Sequence, residues 1–381
     1  MLAGMRIAVL GAGTMGAATA RLLSRRSDVE LLVIDPEGER AEGVAADAGG
    51  RAVTAGIGDP GLPEALAGAD AVAACIPYRL NLEAMEAALE ARVPYADLGG
   101  LFHVTLRQLE LGARFLEAGV PAVLGIGCCP GISNLLARLA ADRLDEVRSI
   151  DIVDGAVEVG GGFGVPYSAD TILDEFTHPA MVFEDGKLKE VPPGSGRIRY
   201  LFPEPLGEME AFYTLHSEPA TLPDTIEGVQ DVRWRLALPP KVADGFRVLV
   251  DLGLASEEAV ETPSGPAVPR DVLLALLARL PTTEGPPRDA EVLDVSAAGT
   301  LGGRPVRFLG RARLAPTRDG IGAGAFGTSI PIAVAARWLA DGRVPPGVHP
   351  PERAFDARGF LDDLATEGVG LETSVEPATS S

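Results

Sequence analysis

The feature that most constrains this chain is a glycine-rich turn near its N-terminus, in the segment VLGAGTMGAATARLL. Gly11, Gly13 and Gly16 directly follow an apolar strand-like run and open a helical pattern. In that setting the first glycine permits a tight turn, the second lets the backbone approach a pyrophosphate, and the third lets the helix pack closely. The helix N-terminus favours the phosphate charge. The pattern predicts a dinucleotide-binding turn at the edge of a parallel sheet.

An acidic residue at the end of the next predicted strand supports this interpretation. Asp35 lies 19 residues after Gly16, where a carboxylate binds the hydroxyls of an adenosine ribose and repels a 2′-phosphate. The segment DPEGER has no arginine immediately beside Asp35, so we expect NAD rather than NADP. Thr14 and Met15 would complete the cofactor-binding turn. The alternative is a glycine turn in an α/β fold that binds no nucleotide.

Short apolar runs alternate with helical patterns over the first part of the chain. This alternation predicts βαβ units and a doubly wound parallel sheet of the Rossmann type. The predicted strands are RIAVLG, ELLVID, RAVTA, DAVAACI, PYADLG and PAVLGIG. After about residue 145 the runs are longer and β-like, and they predict a second α/β domain with a mostly antiparallel or mixed sheet. They include RSIDIVDGAV, EMEAFYTLHS, DVRWRLAL, FRVLVDLGLA and RPVRFLGRARLA.

The helical segment at 323–344 is rich in small residues, a composition typical of a helix that packs closely on another element. We expect it to return to the first domain. The predicted organisation is therefore a split NAD-binding domain over 1–130 and 321–370, and a substrate and oligomerisation domain over 131–320. The last residues, 371–381, are predicted to be a disordered tail.

Charge and cysteine usage exclude several classes of function. A net charge of −21 would repel phosphate backbones, so we expect no nucleic-acid partner. No apolar run is long enough to span a bilayer, and the N-terminus runs straight into a strand pattern, so we expect a cytoplasmic protein without a membrane partner. Three cysteines and four histidines without a CxxC spacing predict neither a disulfide framework nor a metal site.

Polar groups and glycines follow the fourth and fifth predicted strands, where ligands bind in doubly wound sheets. Pro77 and Gly99 are expected beside the cofactor. Tyr78 is a candidate for contacting cofactor or substrate and for proton transfer, and the alternative is a tyrosine that starts a helix over apolar neighbours. Asp97 is a candidate for proton relay or for binding a substrate cation, and the alternative is a cap at the strand end.

The segment GIGCCPGISN follows the sixth predicted strand and has two adjacent cysteines at the start of a helix. Pro130 suits the first turn of that helix, and the free N–H groups after it would form an anion site. Gly127 and Pro130 are expected to face the nicotinamide. Cys129, Gly131 and Asn134 are expected to line the substrate site. A thiolate nucleophile is the alternative role for the cysteine pair, since a helix N-terminus lowers a thiol pKa.

Taken together, VLGAGTMG, PYADLGG, GIGCCPGISN and TSIPIAVAARWLADGRVPPGVHPPE resemble the saccharopine dehydrogenase family, and within it the lysine 6-dehydrogenase branch. The similarity spans nearly the whole chain. The resemblance implies a homodimer or homotetramer and a small amino-acid substrate whose C–N bond is oxidised. Lysine is the expected substrate, with saccharopine or a carboxyalkyl polyamine as alternatives. A non-catalytic NAD-binding scaffold or sensor is the alternative from another class.

Oxidation of an amine requires a proton acceptor, because an alkylammonium with a pKa of about 10.4 cannot lose hydride until it loses a proton. His216 titrates in a suitable range, and we expect Glu218 to orient it, while the alternative is a solvated histidine at a strand end. Arg233 falls where the resemblance places a strand arginine, and it would bind the substrate carboxylate, with Arg235 and Arg199 as alternatives. The other interpretation is that Arg233 only pairs with a nearby surface acid. Tyr167 matches a family loop that lines the substrate pocket.

Overall fold

A parallel sheet organises the first third of the chain in the computed structural model, which describes residues 4–158, 165, 167–280 and 285–378. Its elements, in chain order, are β1 (Met5–Leu10), α1 (Thr14–Ser24), β2 (Val29–Asp35), α2 (Gly38–Ala48), β3 (Arg51–Thr54), α3 (Leu62–Leu66), β4 (Ala71–Ala74), a 3₁₀ turn (Tyr78–Leu80), α4 (Asn81–Ala91), β5 (Tyr95–Asp97), α5 (Leu101–Leu109), α6 (Gly112–Ala118), β6 (Pro121–Val123) and α7 (Ile132–Arg143).

Longer strands dominate the middle of the chain, and helices return near its end. The middle elements are β7 (Glu146–Glu158), α8 (Ala169–Thr177), β8 (Ala180–Glu184), β9 (Lys187–Val191), β10 (Ile198–Leu201), β11 (Glu208–Phe212), α9 (Glu218–Thr225), β12 (Asp231–Ala237), α10 (Pro240–Asp251), β13 (Val260–Thr262), β14 (Gly265–Ala267), α11 (Pro269–Leu277), β15 (Asp289–Leu301) and β16 (Arg304–Leu314). The final elements are α12 (Ala323–Ala340), β17 (Gly347–His349), α13 (Pro351–Ala354), α14 (Ala357–Thr366) and β18 (Gly370–Pro377).

The first sheet has the strand order β17-β6-β5-β4-β1-β2-β3, with every pair parallel. The chain passes from β1 to one side through β2 and β3, and then returns to the other side through β4. Loops after β1 and β4 therefore diverge and leave a crevice at the carboxyl ends of these strands. Helices cover both faces, which explains why β1 and β4 are almost uniformly apolar. The predicted Rossmann sheet is confirmed.

The second sheet has nine strands and is mixed, as predicted. Its main path is β10-β11-β12-β7-β15-β16-β18, with β8 and β9 attached at β12. β7 and β12 are parallel, whereas β7–β15 and β15–β16 are antiparallel. Because side chains alternate along a strand, Ile152 and Trp234 belong to the main core on one face, and Val153 belongs to a smaller core on the other.

Helix α12 connects the two sheets. It packs against α1, β1, β4 and β5 of the first sheet and against β15 of the second. Small residues along α12 permit this close approach on several sides, and the helix is buried over most of its length. The contact with the first sheet is the one that the split-domain hypothesis requires, while the domain bounds remain a prediction. None of the described helices combines the length and the apolar composition needed to cross a membrane.

Two local predictions were wrong. The segment FRVLVDLGLA was expected to be a strand, but most of it lies in α10 and the turn that follows. Its β-branched residues favour a strand, whereas Val242, Ala243 and Phe246 form one helical face that packs beside α8. The tail was expected to be disordered from residue 371, but β18 pairs with β16 over its whole length. Residues 379–381 lie outside the described part of the chain.

Candidate active site

The glycine turn after β1 has the geometry that the sequence predicts. Gly11 has φ +96°, a conformation that favours glycine. A Cβ on Gly16 would lie 1.8 Å from the Gly11 carbonyl oxygen, so only glycine lets α1 start this close to the turn. A Cβ on Gly13 would have no described atom within 4 Å. The backbone is therefore open at the position where a pyrophosphate must approach, and the turn fits a dinucleotide.

Asp35 lies at the end of β2 and is held by backbone groups. Its Oδ2 accepts a 2.7 Å hydrogen bond from the Ala12 N–H, and its Oδ1 accepts a 2.9 Å bond from the Glu37 N–H. The Arg40 guanidinium lies 3.8 Å from Oδ1 and 2.5 Å from the Glu37 carboxylate. The sequence analysis found no arginine immediately beside Asp35. The structure nevertheless places the Arg40 guanidinium near the Asp35 carboxylate, because Arg40 lies in the first turn of α2 beside the end of β2.

The dinucleotide turn (residues 11–16) and the bend after β6 (residues 124–131) both lie beside helix α12. The Ser329 hydroxyl donates a 3.1 Å hydrogen bond to the Met15 carbonyl, which lies at the start of α1. A Cβ on Gly127 would lie 3.5 Å from the adjacent Thr328 methyl group. Two consecutive residues of α12, Thr328 and Ser329, therefore lie beside the two segments.

Asp97 was predicted to act in proton relay or cation binding, and the structure contradicts this. Its side chain is fully buried, and its Oδ1 accepts hydrogen bonds from the N–H groups of Gly99 and Gly125. Its Oδ2 accepts a bond from the Gln108 amide. Burial raises the pKa of Asp97, although these bonds oppose the rise. Asp97 therefore fastens the loops after β5 and β6, as the strand-end cap interpretation proposed.

The predicted anion site at the start of α7 is also wrong. The helix begins at Ile132, so Pro130 precedes the helix and does not lie in its first turn. Pro130 instead packs against Gly99, where a Cβ would lie 3.0 Å from its Cγ. The N–H groups of Ile132 and Ser133 already bond to the carbonyls of Gly127 and Cys128. These donors are satisfied within the chain and are not available to an anion.

Asn134 was predicted to bind substrate, but its side chain is committed to the protein. Its Oδ1 accepts a 3.1 Å hydrogen bond from the Gly131 N–H, which caps the helix. Its amide donates to the Thr221 hydroxyl and to the Glu352 carboxylate. Gly131 itself has φ +131° and would bring a Cβ within 2.0 Å of the Gly127 carbonyl oxygen. Both residues therefore shape the bend.

Tyr78 and Pro77 follow β4 at the carboxyl edge of the first sheet. Pro77 is exposed there, directly before the 3₁₀ turn. The Tyr78 hydroxyl donates a 2.6 Å hydrogen bond to the buried Asp174 carboxylate of α8, and Arg79 pairs with the same carboxylate at 2.7 Å. Burial and the bond to Asp174 raise the pKa of Tyr78. Tyr78 therefore links the loop after β4 to α8, and its role in proton transfer stays a prediction.

His216 and Glu218 come together as the sequence analysis expected. The His216 Nδ1 hydrogen-bonds the Glu218 carboxylate, and the imidazole stacks on Trp234 with ring centroids 3.9 Å apart. The Ser133 hydroxyl donates to the other Glu218 oxygen at 2.8 Å. Burial lowers the pKa of His216, but the charge and hydrogen bond of Glu218, with the charge of Glu175, outweigh this effect. The net shift is upward. The catalytic role of the pair remains a prediction.

Three further carboxyl groups surround this pair, and with Glu218 we call them the carboxyl cluster: Asp154, Glu175, Glu218 and Glu291. Tyr167 donates a 2.8 Å hydrogen bond to Glu175, which places this predicted pocket residue at the cluster. Burial raises the pKa of Glu175 to about 7 and that of Glu291 to about 7. Burial and the neighbouring negative charges also raise the pKa of Asp154. Within the described residues no lysine or arginine forms an ion pair with the cluster.

The two adjacent cysteines lie against the carboxyl cluster, with their sulfurs 3.9 Å apart. Contact with Cys129 and burial raise the pKa of the Cys128 thiol. Burial and the charge of Asp154 raise the pKa of the Cys129 thiol, although the contact with Cys128 opposes the rise. Both thiols are therefore protonated at neutral pH. The alternative of a thiolate nucleophile is not supported, because the nucleophile must be ionised.

Arg233 was expected to bind the substrate carboxylate, but it does not lie with His216. Trp234, which stacks on His216, points to one face of β12, so its neighbour Arg233 points to the other. There Arg233 pairs with Glu184 at 2.9 Å and with Asp231 at 3.0 Å. The family resemblance identified a strand arginine, but strand register directs it away from the candidate site.

Arg235 and Arg199, the alternative residues for binding the substrate carboxylate, also lie away from the carboxyl cluster. Arg235 lies on the same face as Arg233, where it pairs with Asp151 at 3.2 Å and bonds to the Tyr213 hydroxyl at 2.7 Å. Arg199 is on β10, and its side chain is 85% exposed, 3.7 Å from Glu208. None of the three predicted carboxylate-binding arginines therefore reaches the carboxyl cluster.

Four residues at the site were not predicted from the sequence: Asp154, Glu175, Glu291 and Trp234. A signal was present for two of them, because Asp154 and Glu291 interrupt the apolar faces of β7 and β15 with an acid. An acid at a core-facing strand position requires either a partner or a function. Glu175 lies on the buried face of α8 beside Phe176. The sequence position of each acid does not by itself indicate a site, and only the fold shows that the acids lie close together.

Comparisons with known proteins agree with this architecture. Carboxynorspermidine synthases from Vibrio alginolyticus and Vibrio cholerae are 28% and 27% identical to the chain over 214 residues. Each alignment covers 53% of the chain, which spans about half (51%) of the length of these relatives. Saccharopine dehydrogenase (L-Glu forming) from Saccharomyces cerevisiae superposes with a TM-score of 0.78 at 19% identity, covering 98% of this chain and 100% of that chain. That likeness shows the fold.

Two family models match most of the chain. The saccharopine dehydrogenase NADP-binding domain matches residues 7–123, which include the glycine turn and β1 to β6. The saccharopine dehydrogenase C-terminal domain matches residues 127–369, which include the bend, the second sheet and α12. The fold, the open glycine turn and these matches lead to one conclusion: the chain belongs to the saccharopine dehydrogenase family of NAD(P)-binding oxidoreductases.

Proposed function

We propose that the chain is an NAD(P)-dependent oxidoreductase that acts on the C–N bond of a substrate in which amines outnumber carboxylates, a carboxyalkyl polyamine. The observation that carries this proposal is the carboxyl cluster, which has four buried acids and only the His216 imidazole as a nearby basic group within the described residues. Buried carboxyl groups without a cationic partner favour the binding of a cation. An ammonium-bearing ligand would supply that charge.

Net charge separates the candidate substrates. At neutral pH saccharopine has two amines and three carboxylates, so a site rich in acids would repel it. Lysine has two amines and one carboxylate, and we keep it as the second candidate. A carboxyalkyl polyamine has at least one more amine than lysine and the same single carboxylate, so it matches the cluster best. The similarity to carboxynorspermidine synthases supports the same choice.

The chain's own residues would handle the proton and the charge of the substrate. The pair of His216 and Glu218 would take the amine proton before oxidation and return a proton in the reductive direction. Glu175, which accepts a hydrogen bond from Tyr167, would hold an ammonium group of the substrate that does not react. Bound NAD(P) supplies the hydride acceptor or donor. The glycine turn and Asp35 would hold its pyrophosphate and ribose.

We also propose that NAD is preferred over NADP. The Asp35 and Glu37 carboxylates would repel a ribose 2′-phosphate, and Glu37 engages the nearby Arg40 cation at 2.5 Å. Arg40 is the residue that would accept NADP if these acids were removed, because its guanidinium already lies beside Asp35.

The test is a substrate panel of lysine, ornithine, saccharopine and carboxyalkyl polyamines, with reduction of NAD and NADP followed at alkaline pH. We expect the highest kcat/KM with a carboxyalkyl polyamine and a lower value with lysine. A preference for saccharopine would contradict the charge argument. If no amine is oxidised while the dinucleotide still binds, the scaffold hypothesis would replace the catalytic one.

A further inference from the structure

We propose that Cys128, Cys129 and Asp154 form a binding site for Zn²⁺. The two sulfurs and a carboxylate oxygen of Asp154 all lie within 4.8 Å of one another. The inference does not depend on the proposed substrate, because it rests on the donor atoms alone. The spacing of cysteines and histidines along the chain predicts no metal site, because Asp154 is distant from Cys128 and Cys129 in sequence.

The separation of the thiols suits one tetrahedral ion. Zinc–sulfur bonds of about 2.3 Å at a tetrahedral angle place two sulfurs about 3.8 Å apart. The Cys128 and Cys129 sulfurs are 3.9 Å apart, so both can reach the same ion with little movement. The bend at Gly127 and Gly131 fixes this geometry, because it turns two consecutive side chains toward the second sheet.

A second observation comes from Asp154. Its side chain is in the core, the residue is 8% exposed, and its Oδ1 has no hydrogen-bond partner among the described residues. A buried oxygen without a partner is uncommon and requires an explanation. The carboxylate lies within reach of both thiols, so a metal ion in this position would satisfy the oxygen that the protein leaves unpaired.

Glu291 is placed to complete the site. It is buried on β15, on the same face of the second sheet as Asp154, and it accepts a hydrogen bond from the Cys128 thiol. Two sulfurs with one or two carboxylates form a donor set that suits Zn²⁺, whereas Mg²⁺ and Ca²⁺ prefer oxygen ligands alone. Binding would displace the two thiol protons to solvent, and the metal would keep its oxidation state.

Cobalt substitution tests the site directly. The full chain, freed of metal by a chelator, is titrated with Co²⁺ at about pH 8 and its absorption spectrum is recorded. We expect a near-ultraviolet band from thiolate-to-cobalt charge transfer and visible bands typical of tetrahedral Co²⁺, both saturating at one ion per chain. Addition of Zn²⁺ should abolish both sets of bands, because the two ions compete for the same ligands.

Matched variants identify the ligands. Cys129→Ser and Asp154→Asn should each weaken Zn²⁺ binding by more than about tenfold, and Cys129→Ser should reduce the charge-transfer band. Cys75→Ser is the control. Cys75 is the third cysteine, follows β4 of the first sheet, and its buried thiol bonds to the Thr19 hydroxyl of α1. The cobalt spectrum of Cys75→Ser should match that of the unmodified chain.

A second measurement requires no variant. Cys129 is the more exposed cysteine of the pair, so Zn²⁺ should slow its alkylation, measured by mass spectrometry of the peptide that contains it. The proposal is overturned if Co²⁺ gives no thiolate charge-transfer band. It is equally overturned if the band has the same intensity in Cys129→Ser as in the unmodified chain, or if Zn²⁺ leaves the alkylation rate unchanged.

Discussion

The dinucleotide turn and the carboxyl cluster are built in opposite ways. The turn uses residues from Gly11 to Asp35, which follow one another along β1, α1 and β2. The cluster takes one acid from each of four elements, since Asp154 lies on β7, Glu175 on α8, Glu218 on α9 and Glu291 on β15. The first site is a local motif, and the second exists only after the sheet has formed.

The two regions also differ in how their polar groups are satisfied. The Asp35 carboxylate accepts hydrogen bonds from two backbone N–H groups, those of Ala12 and Glu37. In the cluster, Asp154 keeps one oxygen without a partner among the described residues, and burial raises the pKa of Glu175 to about 7. The backbone therefore already satisfies the Asp35 carboxylate, whereas the carboxyl cluster retains an unpaired oxygen that a bound cation would satisfy.

The largest effect should come from His216 in the cluster. His216→Ala removes the proposed proton acceptor, so kcat for amine oxidation should fall by about 10²- to 10⁴-fold while dinucleotide binding is retained. Steady-state kinetics and fluorescence titration with NADH would measure the two quantities. His103→Ala is the matched control, because His103 is exposed on α5 and should leave kcat unchanged. Equal kcat in both variants would remove His216 from the mechanism.

The turn offers a contrast between two glycines. Gly16→Ala would bring a Cβ to 1.8 Å from the Gly11 carbonyl oxygen, so we expect a loss of about 1–3 kcal/mol in the free energy of unfolding. Gly13→Ala meets no described atom within 4 Å, so it should keep the stability and weaken dinucleotide binding. Denaturant unfolding and titration calorimetry distinguish these outcomes. An unchanged free energy of unfolding in Gly16→Ala would contradict the close approach of α1 to the Gly11 carbonyl.

Substitution of Asp35 tests whether this residue makes the turn prefer NAD over NADP. Asp35→Ala should shift the ratio of kcat/KM for NAD and NADP toward NADP by about tenfold or more, because it removes a charge that repels the 2′-phosphate. The double variant Asp35→Ala with Arg40→Ala should lose most of that gain, since Arg40 is the nearby cation. An unchanged ratio in the single variant would argue against a ribose contact by Asp35.

The smallest expected effect is a shift in pH dependence. The rate of amine oxidation should rise with pH as His216 loses its proton, with a midpoint above the usual histidine pKa of about 6.5, since the pKa of His216 is raised. Glu218→Gln removes the negative charge that stabilises the imidazolium, so the midpoint should move to lower pH by about one unit. Glu184→Gln, on the opposite face of the second sheet, should leave it in place. Measurement of kcat across the pH range for the unmodified chain and both variants distinguishes these outcomes.

The first domain was largely predictable because its signals are local. The alternation of apolar strands with helices indicates βαβ units, and the position of three glycines at a strand-to-helix junction indicates a phosphate-binding turn. The two sheets and the family membership were also expected. The homodimer or homotetramer, the cytoplasmic location and the domain bounds stay predictions.

Predictions for individual side chains at strand ends were less successful, for a common reason. Asp97, Tyr78 and Asn134 are polar residues near the carboxyl edge of the first sheet, and each is committed to a hydrogen bond within the protein. A sequence shows that a polar group is near a ligand-binding edge, but it does not show whether the fold already supplies its partner. The prediction that Arg233 lies at the site was wrong because of strand register, since one step along β12 reverses the face to which a side chain points.

The sequence by itself determined the Rossmann sheet, the dinucleotide turn and the pairing of His216 with Glu218, since each depends on residues that are neighbours along the chain. Only the tertiary structure decided that Asp154, Glu175 and Glu291 join that pair and that two adjacent thiols face an unpaired carboxylate. The physical reason is that burial and the sum of neighbouring charges depend on distances in space. Those distances are set when β7, β15, α8 and α9 pack together.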